Sequence, residues 1–332
     1  GCQHDRFRCP SRWESRAGPF LSSRGRMGTK PFKSYEEQVS ILQSRGLGID
    51  DPAHAAEVLR THNYYRLSGY WHSMRQVDPQ THTALDVFKD GATLDLVLAL
   101  YDFDARLRHA VFANLAPVEL AIRSLLGYHL GALDPLIHLD ASKLSATASN
   151  PSKRTKGATE HDDWVRKYRQ ALRSSREDFV EHHRSQYDGV LPVWVAVEVM
   201  DWGMLSHLYR FTPNPARNRI AREYNMSGPQ LESWLKSLNI LRNYSAHHAR
   251  LFTRVFDIKP KTIDDPRMKP VESVSHLVFG QLSLIRYLHA VLGTDGGVPD
   301  LAGVLESYPH NQLVSFYRLG TPENWRELDL WS

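Results

Sequence analysis

The stretch from Thr93 to about Leu130 constrains this chain most. Leu96, Leu98, Leu100, Phe103, Leu107, Val111 and Leu115 recur there with the period of a long helix. Pro117 is expected to kink or split it, because proline lacks an N–H and its ring clashes with the preceding turn. Helical signals fill the rest. Ser34 to Glu37 is a capping box before Val39, Ile41 and Leu42, with Gly46 as a stop. Asp51 and Pro52 offer an N-cap and a first-turn proline for a helix running into Asn63. Further helices are predicted from Asp162 to about His183, from Val193 to Tyr209 behind Pro192, after Ser227–Gly228–Pro229, and around Ser273–Leu292. A Gly-rich loop follows at Gly293–Gly297, and Thr321–Pro322 reads as a cap before Trp325. No pair of runs alternates with period 2 and no repeat is visible, so the class is all-α.

Composition narrows the function classes. At 332 residues the chain is one large domain or two small ones. Hydrophobic residues at 42% and charged ones at 23% allow a real core and exclude wholesale disorder. The longest nearly apolar run, Val190 to Met200, is about half a bilayer span and carries Glu198, so no transmembrane helix is expected. The net charge, 41 minus 37 or +4, does not announce nucleic acid. An excess of Arg over Lys, with 17 His, hints at phosphate chemistry, since the guanidinium fork matches phosphate. Both cysteines, Cys2 and Cys9, lie before Met27 in an Arg-, Ser-, Gly- and Pro-rich segment without an apolar h-region. Residues 1–26 are read as a vector-derived or mis-started leader and set aside. Residues 27–332 then hold no Cys, so a disulfide scaffold, a Cys-ligated zinc and a thiol nucleophile drop out, and a cytoplasmic protein is expected. No phosphate-cradling Gly loop appears, so neither ATP nor GTP is implied, and no cofactor is expected.

The chemistry concentrates at Leu241–Arg242–Asn243–Tyr244–Ser245–Ala246–His247–His248. Cleaving RNA with its own 2′-OH needs a base for that proton, an acid for the departing 5′-oxygen and a cation for the phosphate charge. His247 can serve as acid or base, Arg242 as the phosphate fork, and Asn243 as the group that holds the phosphate or orients the His. No metal is required. Arg followed by His at such spacing also occurs at Arg66, Arg75, Arg123, Arg154 and Arg176, so spacing alone is unspecific. Of these six arginines, only Arg242 has Asn or Asp directly after it. The plainer reading is a structural ion pair at Arg242 and two helix-end imidazoles favoured by the dipole.

Arg242–Asn243 with His247 resembles the signature of HEPN ribonucleases, and residues 30–256 as a whole resemble the abortive-infection (Abi) proteins of the AbiD/AbiF type. The matching stretches, in order, are Lys30–Pro31–Phe32, Arg45–Gly46–Leu47, Asn63 to Trp71, Leu100 to Asp104 with Leu107–Arg108, and Val118–Glu119–Leu120 with Arg123. Leu191 to Trp194 with Glu198, Gly203 to Ser206, and Arg242 to Phe252 complete them, and Gly320–Trp331 is similar to the family's C-terminal end. The resemblance implies a HEPN-like helical bundle with additional helices over residues 27–256, and a C-terminal helical extension over 257–332. Possible sub-lobes at 30–135 and 160–256 would be joined by a mobile basic linker within Leu133–Ala158. It also implies an endoribonuclease toxin of antiphage defence and, in some relatives, a structured RNA that restrains the protein. The alternative is a catalytically silent module that grips such an RNA.

On an ideal helix Arg242 and His247 lie about 140° apart, so one phosphate reaches both only if the helix starts or bends there, or if two motifs face each other. The second motif could come from another copy, making a homodimer, or from Glu119, Arg123 and His129, with His248 in support. Glu119 and Arg123 are four apart, and a helix-surface ion pair is the bland reading. Tyr64, Tyr65 and Arg66 could stack bases or grip backbone, or pack a loop with Arg66 the exception. The densest basic tract includes Lys153, Arg154, Lys156, Arg166 and Lys167, a solvated face or an RNA track. Glu160–Asp163 and Glu181–His183 are rejected as metal sites, since neighbours on a helix diverge by about 100°.

Overall fold

A computed structural model describes residues 30–294 and 296–332; the supposed leader over 1–26, with Cys2 and Cys9, and Met27 after it lie outside them. The first elements follow their caps. Helix α1 (Tyr35–Ser44) starts at the Ser34/Glu37 capping box, and α2 (Pro52–His62) starts where Asp51 accepts from the Ala53 and His54 N–H groups. Asn63 ends α2 at φ 65° and opens α3 (Tyr64–Trp71) by accepting from the Tyr65 N–H. A small antiparallel hairpin follows, β1 (Arg75–Val77) and β2 (Ala84–Phe88), too short for a period-2 pattern to show in the sequence.

Helix α4 (Leu94–Gly131) is the axis of the fold, 38 residues or roughly 57 Å long. Pro117 does not split it. Near the proline the helix is tied to other elements, with the Asn114 amide donating to the Pro299 carbonyl and the Asn114 carbonyl accepting from His289. Its length and a mean hydropathy of 1.3 over its most apolar window would suit a bilayer span, contrary to the sequence expectation. In the fold it contacts α3 and six later helices, and its Val97, Leu100, Phe103, Leu107, Val111 and Leu115 are core. It is a core helix by its packing.

Three expectations fail in the middle of the chain. The supposed linker is packed: Ile137, His138 and Ala148 are buried, Pro151 bridges Thr159, and the Ser145 N–H donates to the Phe211 carbonyl. Apolar residues spaced among its Ser, Lys and Asp supply those anchors. The expected 162–183 helix is two, α5 (Glu160–Ser174) and α6 (Asp178–Gln186), because Arg184 folds back onto the Leu172 and Ser175 carbonyls and closes the end of α5. The expected 193–209 helix is also broken, into α7 (Val193–Ala196), a 3₁₀ turn at Val197–Val199, and α8 (Trp202–Phe211). Asp201 starts α8 by accepting from the Met204 N–H, which a helix already running through would not need. Helix α7 lies close on α4, where a Cβ on Gly131 would stand 2.7 Å from the Trp194 ring.

Helices α9 (Asn214–Arg222) and α10 (Gly228–Ala246) follow, the latter from a Ser227/Gln230 capping box with Pro229 in its first turn. Helix α11 (Val278–Leu292) begins later than the sequence suggested, after a 3₁₀ turn at Lys269–Val274. Gly293 closes it in the left-handed conformation. Helix α12 (Leu301–Glu306) precedes a tail in which Trp331 stacks on Phe279 at 4.7 Å. Trp325 opens a 3₁₀ turn behind Asn324, so Thr321 is not its cap. One contiguous core runs from Val39 to Trp331, and the fold is all-α.

His138 generates a pH prediction. It is fully buried against the edges of Trp164 and Tyr168. Burial pushes its pKa down to about 4, with nearby His161 acting the same way and Asp134 opposing. The unfolded chain, with an ordinary imidazole near 6.5, therefore binds more protons between those values. The stability that neutral His138 allows is full above about pH 6.5 and is lost as pH falls toward 4. Between pH 6.5 and 5 the loss is about 2 kcal/mol, and His138→Phe should remove it. Urea unfolding at the two pH values checks this, and an identical acid sensitivity in both proteins contradicts it.

Candidate active site at the end of α10

The motif lies where α10 ends. The helix is regular through Ala246, and His247 is its C-cap, with its N–H donating to the Asn243 carbonyl. The helix neither starts nor bends at the motif, so the angular spread between Arg242 and His247 persists. Asn243 and His247, one turn apart, share the exposed side of α10, while Arg242 turns inward and is half-buried. The His247 imidazole makes no hydrogen bond, ion pair or ring contact among the described residues.

The turn behind it is held from three sides. His248 has φ +55°, a strained conformation for a side chain of that size. Its carbonyl accepts from the Arg66 guanidinium at 2.8 Å. Arg250 donates to the Gly69 carbonyl, and a Cβ on Gly69 would stand 3.2 Å from the Arg250 Nη1. The Leu251 and Phe252 N–H groups donate to Asp104 at 3.1 and 2.7 Å. Asp104, wholly buried on α4, also accepts from the Tyr70 hydroxyl at 2.6 Å and pairs with Arg108. Burial lifts the Asp104 pKa above its ordinary value, and Arg108, Tyr70 and the two backbone donors offset only part of that rise. Every contact it makes is with a donor, which an ionised carboxylate satisfies and a protonated one does not.

Behind Arg242 is a chain of charges. Its Nε is 4.0 Å from the Glu119 carboxylate, and its guanidinium lies over the Phe112 ring at 5.2 Å. Glu119 accepts from Arg123 at 2.9 Å, and Arg123 also reaches Glu198 at 3.3 Å and the Met200 carbonyl at 3.0 Å. Glu119 and Arg123 are mostly buried, so they are not the exposed surface pair of the plainer reading. The Asp201 carboxyl sits below its ordinary range: burial raises it, but Lys167 at 2.6 Å, the Met204 N–H and the nearby charge of Arg242 outweigh that.

Of the residues singled out in sequence, Glu119, Arg123 and Lys167 therefore gather around Arg242. His129 does not. It lies six residues past Arg123 on α4, where burial and Arg219 lower its pKa and Glu223 opposes. Arg66 reaches the motif through the His248 carbonyl. Tyr64 packs against Trp71 at 5.0 Å, and Tyr65 stays exposed beside it. Lys153, Arg154 and Lys156 are exposed on the loop after Pro151, and Arg166 pairs with Asp163. Glu160, Asp162 and Asp163 go separately to Arg210, Thr159 and Ser152. Among the described residues no three His, Cys, Asp or Glu side chains converge as metal ligands would. Sequence reasoning missed Asp201 and Phe112 as neighbours of Arg242. Asp201 fell inside the expected 193–209 helix, and Phe112 lies off the apolar stripe that the sequence shows along α4.

Asp104→Ala should lower the unfolding free energy by about 3–5 kcal/mol, since it strands the buried Arg108 and two backbone donors. Denaturant titration measures it, and a loss below about 1 kcal/mol would show that the turn after His247 is held by other contacts.

The family model described as "Abi-like protein" matches residues 57–253, more than half the chain and the span from α2 to the turn after His247. No curated protein and no solved structure matches the chain.

Proposed function

This chain belongs to the Abi-like protein family, with a role in abortive-infection defence, and from that premise we propose that it is a metal-independent endoribonuclease of the HEPN type, acting as a toxin. The observation that carries this reading is the fixed corner at the end of α10. Asn243 and an unengaged His247 face outward there, Arg242 stands behind them among Glu119, Arg123 and Asp201, and the following turn is clamped by Arg66, Arg250 and Asp104. Such a corner restricts where the imidazole can be, which is what a proton-transfer group needs.

In the proposed reaction the RNA 2′-oxygen attacks the adjacent phosphorus and the bond to the 5′-oxygen breaks. His247 removes the 2′-proton, and a water molecule protonates the departing 5′-oxygen. The products are a 2′,3′-cyclic phosphate and a 5′-hydroxyl. Arg242 and Asn243 hold the phosphate and offset the charge that builds on its oxygens. Because Arg242 and His247 diverge on α10, and His129 lies away from Arg242, the second motif is assigned to a facing copy of this chain. The active unit is thus a homodimer, and one copy's Arg242 serves the other's His247.

Purified protein should cleave labelled RNA in excess EDTA, leaving a cyclic phosphate. Arg242→Ala and His247→Ala should each lower the rate by about 10²–10⁴. Cleavage that EDTA abolishes, or that both variants retain, contradicts the proposal. Tight RNA binding without any cleavage would instead favour a silent module that holds a structured RNA.

A further inference from the structure

Helix α5 has two different flanks. Lys167, on one, reaches Asp201 and the Arg242 cluster. Arg166, Arg169 and Arg173, spaced 3 and 4 residues apart, line up on the other, turned about 120° away. They edge an open groove of about 460 Å³ floored by Leu139 and Val165, with His161 and Asp162 at its head. Arg166 is occupied by Asp163 and the Thr155 hydroxyl. The Arg169 and Arg173 guanidinium groups are exposed and make no hydrogen bond or ion pair among the described residues. Asp162 brings one negative charge, but its carboxylate is taken up by the Thr159 N–H and hydroxyl at the start of α5. The groove therefore presents two free planar forks about one helical turn apart. The imidazole of His161, its one aromatic, is buried and stacked on Trp164, with Nε2 donating to the His138 carbonyl.

We infer that this flank of α5 binds the phosphodiester backbone of RNA at a site separate from the Arg242 corner. Guanidinium forks match phosphate oxygens in pairs, and successive forks along a helix suit a repeating anion better than an isolated one. With no exposed aromatic surface to stack a base, the site reads charge and not sequence. The inference rests on the proposed RNA chemistry for its ligand class but uses none of the residues placed in the reaction.

The test measures binding of a fluorescent 20-nucleotide RNA to the His247→Ala protein across a salt series. Arg169→Ala with Arg173→Ala should weaken binding by about tenfold per arginine. The double change should also flatten the salt dependence by about 1.4 units of log–log slope, from two lost phosphate contacts. Arg169→Lys with Arg173→Lys should recover part of the affinity. An equal charge change on α9, Arg219→Ala with Arg222→Ala, should cost much less. Binding that ignores Arg169 and Arg173, an equal loss from the α9 pair, or poly-glutamate binding as tightly as RNA would each overturn the inference. Cleavage is scored separately in the unsubstituted protein. RNA cleavage with binding indifferent to both arginines removes this site and keeps the nuclease reading, while arginine-dependent binding without cleavage does the reverse.

Discussion

The Asp104 carboxylate collects donors from separate parts of the chain: the Tyr70 hydroxyl on α3, Arg108 one turn along α4, and the Leu251 and Phe252 N–H groups beyond α10. A buried carboxylate is costly unless its lone pairs are engaged. Here the elements that engage it are those that frame the candidate site. The carboxylate fixes where the chain goes after His247, and so fixes the corner on which the imidazole stands.

That corner explains why an exposed histidine can have a defined place. His248 is held at positive φ by a turn pinned through Arg66, Arg250 and Asp104. Strained backbone persists where the surroundings over-determine it, and such places often serve function. Arg242 is fixed differently, by Glu119 on one side and the Phe112 ring on the other. Two anchoring systems thus hold the two ends of the motif, and both return to α4. The regular helix between them keeps the two side chains on different faces, which is why the proposed reaction pairs two copies of the chain.

Much of the outer frame was legible in the sequence because it is written in local chemistry. Ser34, Asp51 and Ser227 mark helix starts through their own side chains, and the apolar spacing of α4 survives its proline. The misread segments depend on distant partners. Arg184 ends α5 from the next helix, and the stretch after Leu133 packs through a few apolar anchors and a bridge from Pro151 to Thr159. At the site, Arg242, Asn243 and His247 stood out by adjacency, and Glu119 with Arg123 by spacing. The clamp did not, because Asp104 and Leu251 are 147 positions apart and nothing local links them.

The account stands or falls on Arg242 and His247 acting across two copies of the chain. Mixing inactive Arg242→Ala and His247→Ala proteins under conditions that exchange subunits tests this directly. Half the dimers would then be mixed, each with one intact pair, so RNA cleavage should return to about a quarter of the unsubstituted rate. Mixed dimers that form but cleave no RNA would contradict it and place both residues' work within a single chain.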